Sequence, residues 1–371
     1  MYSPVYQKTI RHFLKPVQEL LDDEAVSEIM INGAESIYCE RGGKINALAG
    51  RFASERALMA AIHNIAEFAG RPLQANQHSL DARLPTGERV HAIWPPASRN
   101  GICLTIRKFN HRTLSLQGLM AAGVLTPEAS AILSAAVKLK RNVLIAGGTG
   151  TGKTTILNAL SEEIDESERI IVIEDSSELK LRQQHTLYLE AQSSRTGGAS
   201  GLNIRDLFAE SLRMRPDRII VGEVRRGEAL DLVQSMISGH AGALSTIHAS
   251  SPQDAVSRLE TLCMMGDGGL PILVARNQVA SAIHLVLQLC RAGGGRRYVS
   301  RISECLGLDS ENRYCWNELF RDQHTLQSDG SSAWTLQPRS RRLGFFEEAE
   351  AAGLDSGLRA LGYRSLVEPS V

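Results

Sequence analysis

Hydrophobic and polar positions in the first hundred or so residues predict a small α/β domain. Strands are predicted at 26–32, 37–40, 89–94 and 102–107, where apolar and β-branched residues form short runs. The sequence Arg-Gly-Gly-Lys at 41–44 predicts a turn between paired strands. Between the strand pairs, apolar residues recur at helical spacing and predict a helix over 54–68; they are Leu58, Ala61, Ile62, Ile65 and Ala66.

From residue 126 onward, apolar strands alternate with helical segments, which is typical of a mostly parallel sheet with helices on both faces. The polar segment 109–118 indicates a linker, and the polar segment 322–340 predicts a weakly packed connection to a short helix near 345–352. We therefore predict an α/β protein with four parts: an N-terminal α/β domain at 1–108, a linker at 109–125, a larger α/β domain at 126–306 and a C-terminal extension at 307–371.

The most informative motif is the glycine-rich stretch 147–154, which reads Gly-Gly-Thr-Gly-Thr-Gly-Lys-Thr and follows the apolar run 142–146. It matches the phosphate-binding loop of nucleoside triphosphatases, in which backbone N–H groups and a lysine surround the phosphates and a hydroxyl binds Mg²⁺. A helix after the loop would point its positive end at the phosphates. The sequence thus predicts that ATP or GTP contacts Gly147, Gly148, Thr149, Gly150, Thr151, Gly152, Lys153, Thr154 and Thr155.

Three downstream segments read as apolar strands that end in polar residues. The first, 170–173, is followed by Glu174 and Asp175, which we predict to order Mg²⁺ together with Thr154. Glu174 is also a catalytic candidate. The alternative is that these carboxylates cap a helix or turn.

The second segment, 218–221, is followed by Gly222 and Glu223. A carboxylate there is expected to polarise the water that attacks the terminal phosphate, so Glu223 is the preferred catalytic residue. The alternative is that Glu223 only pairs with Arg225 or Arg226.

The third segment, 243–247, precedes His248, whose imidazole is predicted to contact the terminal phosphate or Glu223. The alternative is a purely structural histidine. Lys153, Glu174, Glu223 and His248 form the predicted catalytic set.

Composition excludes some classes of function. The 371 residues have a formal net charge of zero, so we expect no general binding of nucleic acid. The sequence has neither an apolar run of the ~18 residues needed for a membrane span nor the apolar core of a secretory signal. We expect a cytoplasmic protein that is at most peripheral to the membrane. The six cysteines are widely spaced, which favours reduced thiols and no zinc site.

The chain resembles the secretion ATPase superfamily in four motifs that follow one another in the expected order. They are the Walker A motif at 147–155, the Asp box at 173–179, the Walker B motif at 213–229 and the His box at 246–249. This superfamily powers type II secretion, type IV pili and type IV secretion. Within it, the chain most resembles the CpaF-like motors of tight-adherence (Tad, or Flp) pili, through segments 21–33, 81–90, 257–260 and 276–283.

The resemblance implies ATP hydrolysis with Mg²⁺ by a homohexameric ring. Each subunit would have a PAS-like N-terminal domain and a RecA-like domain, and the ring would dock on an inner-membrane platform protein. The sequence departs from the pattern at Arg226, where relatives usually have glycine, and at His284, where aspartate is usual. It also begins closer to the α/β domain than CpaF-like chains do, which bears on docking and regulation.

A physical argument also favours the ring, because phosphoryl transfer needs further cations at the terminal phosphate in addition to lysine and Mg²⁺. The larger domain offers few unpaired arginines near the loop, so we predict that Arg83, Arg89 or Arg107 of the N-terminal domain reaches the nucleotide. The alternative is that these are surface arginines whose stems cover apolar neighbours.

The sequence therefore predicts an ATPase, a phosphoanhydride hydrolase, that drives pilin insertion or retraction through the platform of a Tad-type pilus. The closest alternative is the ATPase of a type IV secretion or conjugal transfer system. Two alternatives come from other classes: a RecA-like nucleic-acid motor, and a nucleotide-dependent scaffold with little turnover.

Overall fold

The computed structural model describes residues 4–108, 114–191, 201–266, 268–326 and 332–367. The chain divides into two units, Met1–Arg112 and Thr113–Val371, each with its own hydrophobic core. Part of the predicted linker, residues 109–113, lies outside the described residues. No helix in the described ranges is both long and apolar enough to cross a membrane.

The first unit is a six-stranded antiparallel sheet with helices. Its strands are β1 Val26–Asn32, β2 Ile37–Arg41, β3 Lys44–Leu48, β4 Ser79–Arg83, β5 Arg89–Ile93 and β6 Cys103–Arg107, in the order β3-β2-β1-β6-β5-β4. Its helices are α1 Pro4–Phe13, α2 Gln18–Asp22 and α3 Glu55–Phe68. Ser54 caps α3 by accepting a hydrogen bond from Ala57 N. The predicted apolar stripe of α3 is buried, which confirms that helix. The four predicted strands coincide with β1, β2, β5 and β6 to within one residue at each end.

The second unit contains a nine-stranded sheet in the order β15-β14-β13-β12-β7-β11-β10-β8-β9. The strands are β7 Val143–Gly147, β8 Ile170–Glu174, β9 Thr186–Glu190, β10 Arg218–Val221, β11 Leu244–Ile247, β12 Leu285–Arg291, β13 Arg297–Leu308, β14 Tyr314–Leu326 and β15 Ser332–Pro338. The six from β12 to β9 run parallel, and the three from β13 to β15 are antiparallel additions.

Helices cover both faces of this sheet. They are α4 Leu116–Ala121, α5 Pro127–Lys138, α6 Lys153–Ser161, α7 Ile204–Ser211, α8 Glu228–Ile237, α9 Pro252–Gly266 and α10 Ile272–Ala282. Alternate residues of β7 enter different cores: Val143 and Ile145 belong to one, Leu144 and Ala146 to the other. Because successive strand residues face opposite sides, a strand buried on both faces must be apolar throughout, as the sequence pattern predicted.

The chain ends in a small addition with α11 Phe346–Ala351, α12 Asp355–Ala360 and a parallel pair of short strands, β16 Arg342–Leu343 and β17 Arg364–Ser365. Helix α11 confirms the predicted terminal helix. Phe345 and Phe346 are buried in the same core as Ile145, so this addition is part of the second unit.

Two segments predicted to be irregular contribute described residues to the second unit, at 114–125 and at 322–326 and 332–340, whereas residues 327–331 lie outside the described residues. Leu116 and Leu119 of α4 are buried in its core, so residues 114–125 do not act as a linker. The predicted weakly packed connection contains the end of β14 and β15. Leu336 is buried there, and the ring of Trp334 lies 4.4 Å from that of Tyr298. Polar residues on the outer face of these strands hid the alternation in the sequence.

Asn142, just before β7, ties several elements together at the amino edge of the sheet. Its side chain donates to Ala282 O and accepts from the backbone N–H groups of Gly242 and Ala243. Its own N–H donates to Nδ1 of His284 at 2.9 Å. Burial and, to a smaller extent, the positive charge of Arg141 together lower the pKa of His284 to about 4. His284 therefore acts as a neutral hydrogen-bond acceptor.

We expect His284→Asn to make the fold less sensitive to acid. The folded state binds fewer protons at His284 than the unfolded state between pH 6.5 and about 4, so stability falls as pH falls through that window. The wild-type penalty should reach about 2 kcal/mol by pH 5. Asparagine can accept the same hydrogen bond but does not titrate. Urea unfolding at pH 5 and pH 7.5 checks this; equal pH dependence of the two proteins would contradict it.

Candidate functional site

The carboxyl ends of β7, β8, β10 and β11 meet at one edge of the larger sheet. In register, Ala146 of β7 lies beside Ile247 of β11, and Val221 of β10 lies between Ser245 of β11 and Ile173 of β8. Each strand is followed by polar residues, so the sheet brings together groups that are far apart in the sequence. Ligands of parallel α/β sheets bind at this edge.

The glycine-rich loop joins β7 to α6 as predicted. Gly152 has a φ of +96° at the N-terminus of α6, a conformation that favours glycine. Lys153, only 9% exposed, donates from Nζ to the carbonyl oxygens of Gly147 and Gly148, at 3.0 Å each. Thr151 Oγ1 donates to Gly148 O at 2.9 Å. The loop thus curves around the ammonium group, with the amino end of α6 beside it, and forms an electropositive cradle that fits phosphate.

His248 links the lysine to Glu223. Its Nδ1 lies 3.5 Å from Lys153 Nζ and its Nε2 lies 2.6 Å from Glu223 Oε1. Because an ammonium group can only donate, Nδ1 accepts and the ring proton sits on Nε2, facing the carboxylate. The contact to Oε1 is close but not aligned as a hydrogen bond, so this buried oxygen lacks an aligned donor among the described residues.

The imidazole of His248 is held in its neutral form. Burial lowers its pKa, and the charge of Lys153 lowers it further, although Glu223 acts in the opposite direction. A neutral ring next to a carboxylate can pass on a change in hydrogen bonding at Lys153 without itself becoming charged.

Glu223 also binds Arg225. Arg225 Nε donates to Glu223 Oε2 at 2.8 Å and Nη1 donates to Asp175 Oδ2 at 3.1 Å. The ion pair between Glu223 and Arg225, which was the alternative considered from the sequence, is therefore present. Glu223 contacts His248 at the same time. Among the described residues, the ion pair of Glu223 with an arginine is made by Arg225 and not by Arg226. The backbone N–H groups of Arg225 and Arg226 both donate to Oε1 of the buried Glu228.

Glu174 faces its own loop. Its carboxylate accepts from the backbone N–H groups of Glu178 at 2.9 Å and Leu179 at 3.1 Å. Burial raises the pKa of Glu174 to about 7, although the two hydrogen bonds act to lower it. A Cβ atom at Gly222 would lie 2.9 Å from Glu174 Cγ, so glycine is required beside it. The hydrogen bonds of the capping alternative are therefore present, and the catalytic and metal roles of Glu174 stay predictions.

Glu178 is the carboxylate that lies beside Thr154, with Thr154 Oγ1 donating to its Oε2 at 3.3 Å. Asp175, placed in the metal set by the sequence, is bound by Arg225 instead. No three His, Cys, Asp or Glu side chains in the described ranges form a cation-binding cluster. The hydroxyl of Thr154 and the carboxylate of Glu178 nevertheless fit Mg²⁺, which commonly takes few protein ligands and completes its shell with phosphate and water.

Comparisons with known proteins identify the family of the chain. Residues 12–328 match the family model described as Type II/IV secretion system protein. The chain belongs to this family of type II/IV secretion system proteins. It is similar to a putative conjugal transfer protein of Mycobacterium tuberculosis, with 34% identity over 77% of this chain and 83% of that protein. It is also similar to the type IV secretion system protein PtlH of Bordetella pertussis, with 35% identity over 80% of this chain and 94% of that protein.

Structural similarity supports the same fold. The ATPase DotB of Legionella pneumophila is 22% identical, with a TM-score of 0.56 and coverage of 84% of this chain and 83% of that chain. At this identity the likeness shows the fold alone. It confirms that this type II/IV secretion system protein has the α/β architecture predicted from its sequence.

The first unit of this type II/IV secretion system protein carries the three predicted arginines side by side. Arg83 ends β4, Arg89 begins β5 and Arg107 ends β6, and the strand register pairs Arg83 with Arg89 and Arg89 with Arg107. Glu28 of β1 comes next in this row. The register therefore concentrates positive charge at one end of the sheet, which the sequence alone did not reveal.

Arginines of the larger unit do lie near the loop, and the prediction that few of them are unpaired stays a prediction. Arg225 lies against Glu223. A Cβ atom built on Gly150 would lie 3.4 Å from Arg291 Nη1, and one built on Gly152 would lie 3.6 Å from Arg297 Cδ. Arg291 and Arg297 are the functional candidates that the sequence reasoning missed. The only signal was their position on either side of a glycine-rich turn, 292–295.

Two segments that carried the CpaF-like resemblance pack against each other inside the second unit. The buried Glu260 of α9 accepts from Arg276 Nε of α10 at 2.9 Å and from the hydroxyl of Tyr314 of β14 at 2.7 Å. Burial and the bond to Glu260 raise the pKa of Tyr314. Glu260, Arg276 and Tyr314 thus hold α9 and α10 to β14. All three lie more than a hundred residues after the loop in the sequence, and their contacts have a structural role.

Proposed function

We propose that this protein hydrolyses ATP as the motor of a type IV secretion or conjugal transfer system. The observation that carries the proposal is the continuous series Lys153, His248, Glu223, in which a phosphate-loop cation, a neutral imidazole and a carboxylate are in contact. Relatives described as a conjugal transfer protein and a type IV secretion system protein support the choice of system.

In the proposed reaction, the backbone N–H groups of the loop and Lys153 hold the phosphates of ATP. Glu223 orients and polarises the attacking water, for which its half-buried carboxylate is suited because Arg225 and His248 fix its position. Thr154 and Glu178 would hold Mg²⁺, which when bound would offset the negative charge of the phosphates. Loss of the terminal phosphate removes a contact from Lys153, and His248 is placed to pass that change to Glu223.

We also propose that the chain works as a homohexameric ring at the cytoplasmic face of the inner membrane, docked on a membrane platform. The support is the sequence resemblance and the need for further cations at the phosphates. The row of Arg83, Arg89 and Arg107 in the first, PAS-like unit is proposed to supply those cations within the ring. Mass photometry with and without ATP tests the ring, since a protein that remains monomeric in ATP would contradict it.

A Tad-type pilus is the second candidate client. The segments that favour it, 257–260 and 276–283, contain Glu260 and Arg276, whose contacts hold the fold together. Residues with a structural role can be shared by many motors of one family, so they discriminate weakly between clients. The conjugation and secretion relatives therefore weigh more.

Deletion of the gene in its source organism separates the two clients. We expect the deletion to abolish plasmid transfer or protein export, and the wild-type gene to restore it. A Glu223→Gln gene should produce the same amount of protein without restoring activity. Loss of surface pilin with normal transfer and export would instead favour the Tad-type pilus. A purified chain with no ATP turnover, alone or with membranes, would support the scaffold alternative.

A further inference from the structure

Arg291 and Arg297 form an arginine pair at one end of the β12–β13 hairpin. Arg291 is the last residue of β12 and Arg297 is the first of β13, and the antiparallel register places them directly opposite each other. Directly opposed residues lie on the same face of a sheet, and like charges in such positions destabilise it. Both residues are exposed. The hairpin thus keeps two positive charges close together.

The pair lies over the phosphate loop. Strand β12 is hydrogen-bonded to β7, with Leu289 in register with Gly147, so β12 extends two residues past the start of the loop. Arg291 Nη1 would be 3.4 Å from a Cβ atom on Gly150, and Arg297 Cδ would be 3.6 Å from one on Gly152. Glycine at both positions leaves room for these side chains beside the backbone N–H groups of the loop.

The intervening Arg296 points elsewhere. Its guanidinium lies 5.4 Å from the ring centre of Trp334 in β15, where it makes a cation–π contact. Arg296 directly precedes β13 and contacts Trp334, whereas Arg297, the first residue of β13, lies beside the loop. No carboxylate within the described residues forms an ion pair with Arg297.

Arg291 and Arg297 lie on the opposite side of the loop from His248 and Glu223. In the sheet, β7 has β11 on one side and β12 on the other. His248 and Glu223 approach from the β11 side, whereas Arg291 and Arg297 approach from the β12 side. The arginine pair therefore approaches the loop from the side opposite to the groups proposed to act on the terminal phosphate.

We propose that Arg291 and Arg297 bind the phosphates of the nucleotide that are shared by ATP and ADP. This proposal rests on the proposed function and adds two binding residues to it. The guanidinium groups reach over the loop and donate charge-assisted hydrogen bonds to phosphate oxygens. The anion in turn offsets the repulsion between the two arginines, so binding also stabilises the hairpin.

Binding of fluorescent (mant) ADP and ATPγS to the purified full chain tests the proposal. Arg291→Ala and Arg297→Ala should each weaken both nucleotides by about tenfold. The affinity for ADP and the affinity for ATPγS should fall by the same factor. The KM for ATP should rise, while kcat at saturating ATP should stay within about twofold of wild type. The double variant should also show a weaker dependence of affinity on salt, because two charge contacts are gone.

Arg296→Ala is the matched control, since it removes an arginine from the same hairpin without facing the loop, and it should bind both nucleotides as wild type does. Thermal unfolding of all variants shows whether the hairpin remains folded. Wild-type affinity in both loop-facing variants overturns the proposal. So does a loss confined to ATPγS, or an equal loss in Arg296→Ala. If the wild-type chain binds no nucleotide, it is the proposed function that fails instead.

Discussion

Lys153→Ala is expected to weaken ATP binding by about a hundredfold and to reduce hydrolysis to background. The ammonium group of Lys153 is buried inside the curve of the loop, 3.0 Å from the carbonyl oxygens of Gly147 and Gly148. No other cation occupies that position in the described structure. Alanine leaves the backbone N–H groups and the helix end in place but removes the positive charge at the centre of the cradle. Titration with mant-ATP and a phosphate-release assay measure both effects.

Lys138→Ala provides the control for lost charge. Lys138 is a lysine of α5 in the same unit, half exposed, whose ammonium group lies 3.4 Å from Glu163. Removal of such a surface ion pair changes stability by no more than about 1 kcal/mol, and nucleotide binding should not change. The loop keeps its bond from Thr151 to Gly148, so Lys153→Ala should melt close to the wild-type temperature. A Lys153→Ala protein that is folded and binds ATP normally would remove the loop from the proposed site.

Much of the site could be predicted because its parts are local in sequence. The loop, its glycines and the polar residues after β8, β10 and β11 each lie within a few residues of a strand end. A parallel sheet brings such ends to one edge, so Lys153, Glu223 and His248 could be grouped without the structure.

Which carboxylate faces Thr154 could not be predicted. Glu174, Asp175 and Glu178 lie within five residues of one another, and the turn between them decides their directions. The structure directs Glu174 to backbone N–H groups, Asp175 to Arg225 and Glu178 to Thr154. A shift of one residue in such a turn redirects a side chain, and the sequence pattern carries no record of that shift.

Arg291 and Arg297 were missed for a different reason. Their position depends on the register between β12 and β13 and on the pairing of β12 with β7. These strands are separated from the loop by well over a hundred residues. Non-local pairing of this kind leaves no periodic signal in the sequence. The same applies to β15, whose polar outer face concealed a strand that packs Trp334 on Tyr298.

The effect of Glu223→Gln separates binding from turnover. We expect kcat to fall by about 10²- to 10⁴-fold, because an amide cannot polarise the attacking water. ATP affinity should stay near the wild-type value, since Glu223 contacts Arg225 and His248 and not the loop itself. Glutamine has the same shape and can still accept a bond from Arg225, so the local geometry should hold. Equilibrium binding of mant-ATP and single-turnover hydrolysis measure the two quantities.

The control for this change is Glu210→Gln, at an exposed residue of α7 that pairs with Arg213. It removes one negative charge from the same unit and should leave both quantities unchanged. If Glu223→Gln hydrolyses ATP at the wild-type rate, the carboxylate is not the group that activates water, and the contact with His248 is structural. If instead it loses ATP binding as completely as Lys153→Ala does, Glu223 supports the binding site and not the chemical step. Slow turnover with intact affinity is the one result that assigns Glu223 to catalysis, because only a group that acts in the transition state lowers kcat without weakening the substrate complex.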